Sequence, residues 1–178
     1  MEADARGELL KLARNTLESY LSSRTVPPYA PLHPELSVRC GAFVSLHNEK
    51  TLRGCIGQVI ADRELFRIVQ HCAVAAATED GRFDPVTEGE LPVITIEISV
   101  LTPFRLVTDV SEIEVGRHGL MISRSYRRGL LLPQVPGEYG WDREAFLAHT
   151  CRKAGLPHDA WRDPSTRIES FEAEVFSE

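Results

Sequence analysis

Val93-Ile94-Thr95-Ile96-Glu97-Ile98-Ser99-Val100-Leu101 sets Ile94, Ile96, Ile98 and Val100 on one side of an extended chain and Thr95, Glu97 and Ser99 on the other. Apolar and polar residues alternating at period two mark a strand with one face on a core and one toward water. That pattern belongs to antiparallel sheets, because strands of parallel sheets are buried on both faces. The fold class follows by working outward from this strand.

Upstream, Asp62 stands where it can cap a helix. Leu65, Ile68, Val69, Cys72, Ala73 and Ala76 form one stripe of that helix, and Gly81 is placed to stop it. The small residues at 73–77 predict close packing against a sheet, and His71 falls off the stripe. Residues 41–47 and 51–59 read as two strands joined by a tight turn at Asn48-Glu49-Lys50. A two-residue loop would set Cys55 across from Ala42 with Cys40 diagonal on the same face. A three-residue loop would set Cys55 against Phe43 and turn Cys40 away, and Cys55 is read as standing alone. Further upstream, Leu9, Ala13, Leu17 and Leu21 recur at helical spacing over residues 4–23, with Asp4 as the candidate cap. Val26-Pro27-Pro28-Tyr29-Ala30-Pro31-Leu32-His33-Pro34 cannot continue that helix, and is expected to be an extended arm packed through Tyr29 and Leu32.

Downstream, residues 119–123 and 129–135 read as strands separated by Arg124-Ser125-Tyr126-Arg127-Arg128, a solvated basic turn. Asp142 caps a helix running to about residue 154, stopped by Gly155 and Pro157, with Leu147, Cys151 and Ala154 on one side. Residues 166–176 alternate and should add one closing strand. The order helix, hairpin, helix, strand, hairpin, helix, strand predicts an α+β fold, a mainly antiparallel β-sheet flanked by helices, rather than regular βαβ repetition. The 178 residues suit a single domain. Two lobes are expected, a larger one over 1–107 plus 160–178 and a smaller one over 108–159.

Composition limits the function. With 43% hydrophobic and 26% charged residues the chain has the make-up of an ordinary soluble globular protein. A formal charge of −6 argues against a protein that tracks phosphates along nucleic acid. No apolar run approaches the length of a membrane span and no signal peptide opens the chain, so the cytoplasm is the expected compartment. Phosphate-loop and dinucleotide signatures are absent, and no cofactor is expected. Cys40, Cys55, Cys72 and Cys151 are too widely spaced for a C-x-x-C site. His33, His47, His71, His118, His149 and His158 are scattered, so no metal is expected. Oligomeric state is not legible.

The chemistry concentrates in Leu52-Arg53-Gly54-Cys55-Ile56-Gly57. Glycine inside a strand gives up packing, and usually marks a bulge or a place where something approaches the backbone closely. At period two Arg53, Cys55 and Gly57 share a face, and a guanidinium beside a thiol favours the thiolate that attacks electrophiles. Arg82, on the short loop Arg82-Phe83-Asp84-Pro85-Val86, either pairs with a nearby carboxylate such as Glu79 or Asp80 or, the reading preferred, is placed to meet an anionic group, while Phe83 is expected to plug the core. If the strand at 93–101 lies beside the Cys55 strand, Glu97 and Ser99 join Arg53 and Cys55 around one pocket, with Glu97 as a base or orienting group. His149 is a candidate proton carrier.

These motifs carry a resemblance. Residues 52–57, Asp80-Gly81-Arg82-Phe83-Asp84-Pro85, Glu90-Leu91-Pro92 and Ser99-Val100-Leu101-Thr102 resemble the AMMECR family, named for the AMME syndrome candidate gene. Leu131-Leu132-Pro133-Gln134-Val135 and Trp141-Asp142 are similar to its archaeal and bacterial members, and the likeness spans nearly the whole chain. It implies an intracellular α+β protein of unestablished biochemical activity, whose prokaryotic members keep company with Memo-like and radical S-adenosylmethionine proteins. It also implies that the motif cysteine is the reactive residue. Eukaryotic members depart from this chain around His149.

Two functional readings stand side by side. In one, the protein is a cysteine-dependent enzyme. Cys55 is the nucleophile, or a radical or adduct carrier, Arg53 and Arg82 hold an anionic substrate group, Gly54, Gly57 and Ser99 line the site, and Glu97 or His149 handles a proton. In the other, the same groove grips a ligand or partner segment without chemistry.

Overall fold

A computed structural model of the chain describes residues 1–178. In chain order its elements are α1 (Ala3–Ser23), β1 (Ala42–Asn48), β2 (Thr51–Gln58), α2 (Leu65–Thr78), β3 (Ile94–Leu101), β4 (Arg105–Leu106), β5 (Gly119–Arg124), β6 (Arg127–Leu131), α3 (Val135–Tyr139), α4 (Arg143–Lys153), β7 (Arg167–Phe171) and β8 (Ala173–Ser177). The strands form two antiparallel four-stranded sheets, ordered β2-β1-β3-β8 and β4-β7-β5-β6, so the α+β class holds. The chain divides into two units, residues Met1–Leu101 with Glu174–Glu178, and residues Thr102–Ala173. No helix is long and apolar enough to cross a membrane.

The first unit is built on the alternation that β3 announces. Ile94, Ile96, Ile98 and Val100 are buried beside Ala42, Val44 and Leu46 of β1. Leu9, Ala13 and Leu17 of α1 and Ile68, Val69, Cys72, Ala73 and Ala76 of α2 complete the same core. Each fully buried leucine or isoleucine contributes about 1.5–3 kcal/mol relative to leaving it in water. The helix boundaries shift from those expected. α1 begins at Ala3, so Asp4 lies in its first turn rather than at its cap. α2 begins after Glu64, because the Asp62 carboxylate is occupied by Gln58 and Arg63. It ends at Thr78, short of Gly81, where Asp80 turns toward β2.

The second unit packs α4 against β5 and β6 around Leu120, Ile122, Phe146, Leu147, Cys151 and Ile168. Asp142 caps α4 as expected, its carboxylate accepting from the Ala145 N–H at 2.8 Å. The basic segment is mostly strand: the turn is only Ser125-Tyr126, with Ser125 in the left-handed region at φ 57°, and Arg127 already pairs with Arg124. β6 stops at Leu131 rather than 135, since Pro133 has no N–H to offer a ladder. The single closing strand expected over 166–176 is two strands. β7 joins the second unit's sheet and β8 the first unit's. The break falls at Glu172, whose N–H goes to Thr102 Oγ1 at 2.8 Å.

Candidate functional site

The hairpin carrying the motif turns on Glu49-Lys50, with Asn48 opposite Thr51. A bulge between Leu46 and His47 then resets the register: His47 faces Leu52, Leu46 faces Gly54, and Arg53 has no partner. Cys55 consequently stands opposite Ser45, not Ala42 or Phe43. β1 begins at Ala42, which leaves Cys40 outside the ladder. β3 pairs with β1 and not with β2, so the expected adjacency of the Glu97 and Cys55 strands is corrected. Ser45 sits between them. On the face turned away from α1 and α2, Cys55, Ser45 and Glu97 form one row across three strands, and Gly57, Phe43 and Ser99 form the next. Two strand spacings put the Cα atoms of Cys55 and Glu97 roughly 10 Å apart.

Cys55 is half-buried, and the Ser45 hydroxyl donates to its sulfur at 3.2 Å. β2 is an edge strand, where an N–H pointing outward lacks a ladder partner. The Cys55 N–H finds one in Asp80 Oδ2 at 2.8 Å. Asp80 is itself nearly buried and gripped from the other side by Arg82, with Nε to Oδ1 at 2.9 Å and Nη2 to Oδ2 at 2.7 Å. The Arg82 hydrogen bond, outweighing burial and helped by the Cys55 N–H, holds the Asp80 carboxyl far below the usual carboxylate range. Arg82 is pushed up in turn, first by Asp80, and its Nη2 and the Cys55 N–H share one oxygen, Asp80 Oδ2. The Arg82 side chain is 59% exposed.

The remaining motif residues are engaged elsewhere. Arg53, expected beside the thiol, is spent on Glu90, with Nε to Oε1 at 2.8 Å, and on the carbonyls of Asp84 at 2.6 Å and Pro85. The bulge that removes it from strict alternation is the cause. Arg53 holds the Glu90 carboxyl down, and Glu90 also closes a capping box with Thr87. What approaches the two glycines is the protein itself. A Cβ on Gly54 would lie 2.0 Å from the Ala76 carbonyl oxygen of α2, and one on Gly57 would lie 2.0 Å from the Phe43 ring. The space a side chain would need at each glycine, expected to admit a ligand, is taken by the protein's own atoms.

Glu97 is half-buried, whereas Ser99 is only 3% exposed, sealed beside Phe43 rather than lining an open site. Phe83 does not plug the core; Val86 does, and Phe83 lies under the Arg82 guanidinium. Burial pushes the Cys72 thiol up to about 12 and raises Cys40 as well. His149 belongs to the second unit, where its ring stacks on Trp141 at 3.8 Å, and Trp141 stacks on Tyr139 at 4.9 Å. Sequence reasoning missed Ser45: Gly54 does sit beside a bulge, but the register expected for the hairpin was set from loop length alone, and the residue that the bulge leaves unpaired puts Ser45 opposite Cys55. It also missed the bond from Asp80 to the Cys55 backbone, although Asp80 follows directly on the helix that packs against β2.

Fold and site together define a class: a two-unit α+β protein whose first sheet presents, on the face turned away from α1 and α2, a cysteine fixed by a hydroxyl and by an aspartate–arginine pair. The chain belongs to the AMMECR1 family, whose sequence profile matches residues 10–176. It is 47% identical over 187 aligned positions to a protein of Thermococcus onnurineus, covering 98% of this chain and 91% of the relative. A protein of Methanocaldococcus jannaschii is 42% identical over 95% of this chain and 88% of its own length. The fold is similar to the crystal structure of an uncharacterised protein from Pyrococcus horikoshii, with a TM-score of 0.89 and 42% identity over 97% of this chain and 91% of that one.

Proposed function

We propose that the first unit works as a cysteine-dependent enzyme, with Cys55 as nucleophile and Arg82 holding an anionic group of the substrate. One observation carries this reading: a half-buried thiol, accepting from Ser45 at 3.2 Å, on a sheet face that neither α1 nor α2 covers. In the proposed step Cys55 gives its proton by way of water to Glu97, the thiolate held by the Ser45 hydroxyl forms a bond from Sγ to an electrophilic centre, and the bond from that centre to its leaving group breaks, the leaving group departing with the proton. Asp80 positions both ends of the site, the Cys55 backbone and the Arg82 guanidinium. Arg53 has no part, because its Nε, Nη1 and Nη2 are all taken by Glu90 and the carbonyls of Asp84 and Pro85, whereas Arg82 keeps Nη1 unengaged on an exposed side chain. His149 is assigned none either, since Trp141 occupies one face of its ring. The family resemblance adds Memo-like and radical S-adenosylmethionine proteins as the proposed partners. A free thiol in steady use requires a reducing compartment, the cytoplasm.

A second reading is favoured by the loss of Arg53 as the thiol's cation: a module that binds a ligand or protein through this face without chemistry. Alkylation followed by mass spectrometry separates the two. The enzyme reading expects iodoacetamide at neutral pH to label Cys55 ahead of Cys40, with Ser45→Ala slowing the labelling. Arg82→Gln should lower the rate with anionic iodoacetate more than the rate with neutral iodoacetamide. Labelling of Cys55 no faster than Cys40 would assign the face to binding alone.

A further inference from the structure

The second unit holds a cleft of about 330 Å³, near the lower end of ligand-pocket volumes, between α4 and the single 3-10 turn Ala160–Arg162. Its charged and aromatic lining is Glu144, His158, Asp159, Trp161 and Arg162. Trp161 packs against the unit's core and leaves its ring half exposed. The Arg162 guanidinium rests on that ring, 4.3 Å from its centroid, and pairs with Glu144 at 3.2 Å. An indole face backed by a carboxylate is the arrangement that recognises organic cations, because the ring quadrupole and the anion both attract positive charge. Asp159, at the head of the turn, makes no cap hydrogen bond and adds a second carboxylate.

We propose that this cleft binds an organic cation, a guanidinium or alkylammonium group, and that Arg162 is its internal stand-in, displaced when the ligand enters. The reasoning is one of matched chemistry. Arg162 already makes both contacts that such a ligand would make, yet its side chain remains 61% exposed. A planar cation held by one exposed stacking contact and one exposed ion pair is weakly retained. With Arg162 swung out, Glu144 and Asp159 leave the cleft anionic around a bare indole.

The chain has two tryptophans, Trp141 and Trp161, so Trp141→Phe makes Trp161 emission the reporter. Two probes carry the guanidinium: agmatine, as a free small amine, and the blocked peptide acetyl-Gly-Arg-Gly-amide, as a side chain of a partner. Saturable change with either supports the site, and the tighter of the two identifies the source. Glu144→Gln with Asp159→Asn should abolish it. Arg162→Ala should tighten binding about tenfold, because the competing guest is gone, and Arg162→Gln should do the same while keeping a side chain over the ring. Weaker binding in both Arg162 variants, an equal response to neutral urea, or no saturation in Arg162→Ala overturns the proposal.

Discussion

At Gly54 a single added methyl group would meet a backbone carbonyl oxygen at 2.0 Å, and that oxygen, on Ala76 in the last turn of α2, is main chain and cannot rotate away as a side chain can. At Gly57 the obstacle is the Phe43 ring, which can swing. Gly54→Ala is therefore expected to destabilise the fold by about 1–3 kcal/mol or more, the usual cost of overpacking, and Gly57→Ala by clearly less. Urea titration measures both, and a Gly54→Ala variant as stable as the parent would mean that α2 does not sit where it is described. The two glycines show what was legible at this scale. That something must approach β2 closely could be read from their presence in a strand; that it was a helix and a phenylalanine could not, since both come from outside the motif. Arg53 failed for a related reason. Period two put it beside Cys55, but one unpaired residue at the bulge freed its guanidinium for Glu90.

Among the elements, four hydrogen bonds from the proline-rich arm after α1 converge on one carboxylate, and Gln70 of α2 donates to the Pro27 carbonyl at 3.0 Å. Glu8 accepts from the Tyr29 hydroxyl, from the backbone N–H of Leu32 at 2.7 Å and of His33 at 3.2 Å, and from the His33 ring. Burial alone would raise Glu8; the hydrogen bonds of Tyr29, His33 and the backbone overcome it and hold the group down at about 2. His33 is raised above 6.5, first by its bond to Glu8. The signs set a window. The Glu8 contribution is full above about 4.5 and fades as pH falls toward 2, while the His33 contribution is full below about 6.5 and is lost as pH climbs through its raised value. The stability gap between the parent and His33→Gln should accordingly be wider at pH 5.5 than at pH 9 in urea titrations. An equal gap at both, or a wider one at pH 9, would show that the ring pair contributes nothing. The arm itself was legible from its prolines, and Tyr29 packs as expected, 5.9 Å from the Phe66 ring. Leu32 does not: it is 84% exposed, and its backbone rather than its side chain is what Glu8 holds.

On the scale of the whole molecule, element types and faces followed from local periodicity, whereas sheet membership depends on pairings between distant residues and did not. β8 is the clearest case. Its alternation marks a strand, but nothing local says that it leaves the sheet of β7 to stand beside β3. Once there, it brings the end of the chain into a junction. The Glu178 carboxylate binds Arg14 of α1 and accepts from the Ile96 N–H at 3.0 Å, while the Glu178 N–H goes to the Ile96 carbonyl at 3.1 Å. Arg14 also donates to the carbonyls of Leu91 at 3.0 Å and Ile94 at 2.6 Å. Glu174 adds ion pairs to the amino terminus and Arg6. Two residues, Glu174 and Glu178, thus fasten α1 to the rim of the first sheet, while the second unit keeps a core of its own. Deleting residues 173–178 should uncover the outer edge of β3 and loosen α1 without reaching the second core. Amide hydrogen exchange reads this directly: protection should fall across α1 and β3 and persist at Leu120, Ile122, Leu147 and Ile168. Equal loss in both units would mean that their stabilities are not separable, and unchanged protection at Ile96 would mean that β8 contributes nothing to the sheet it joins.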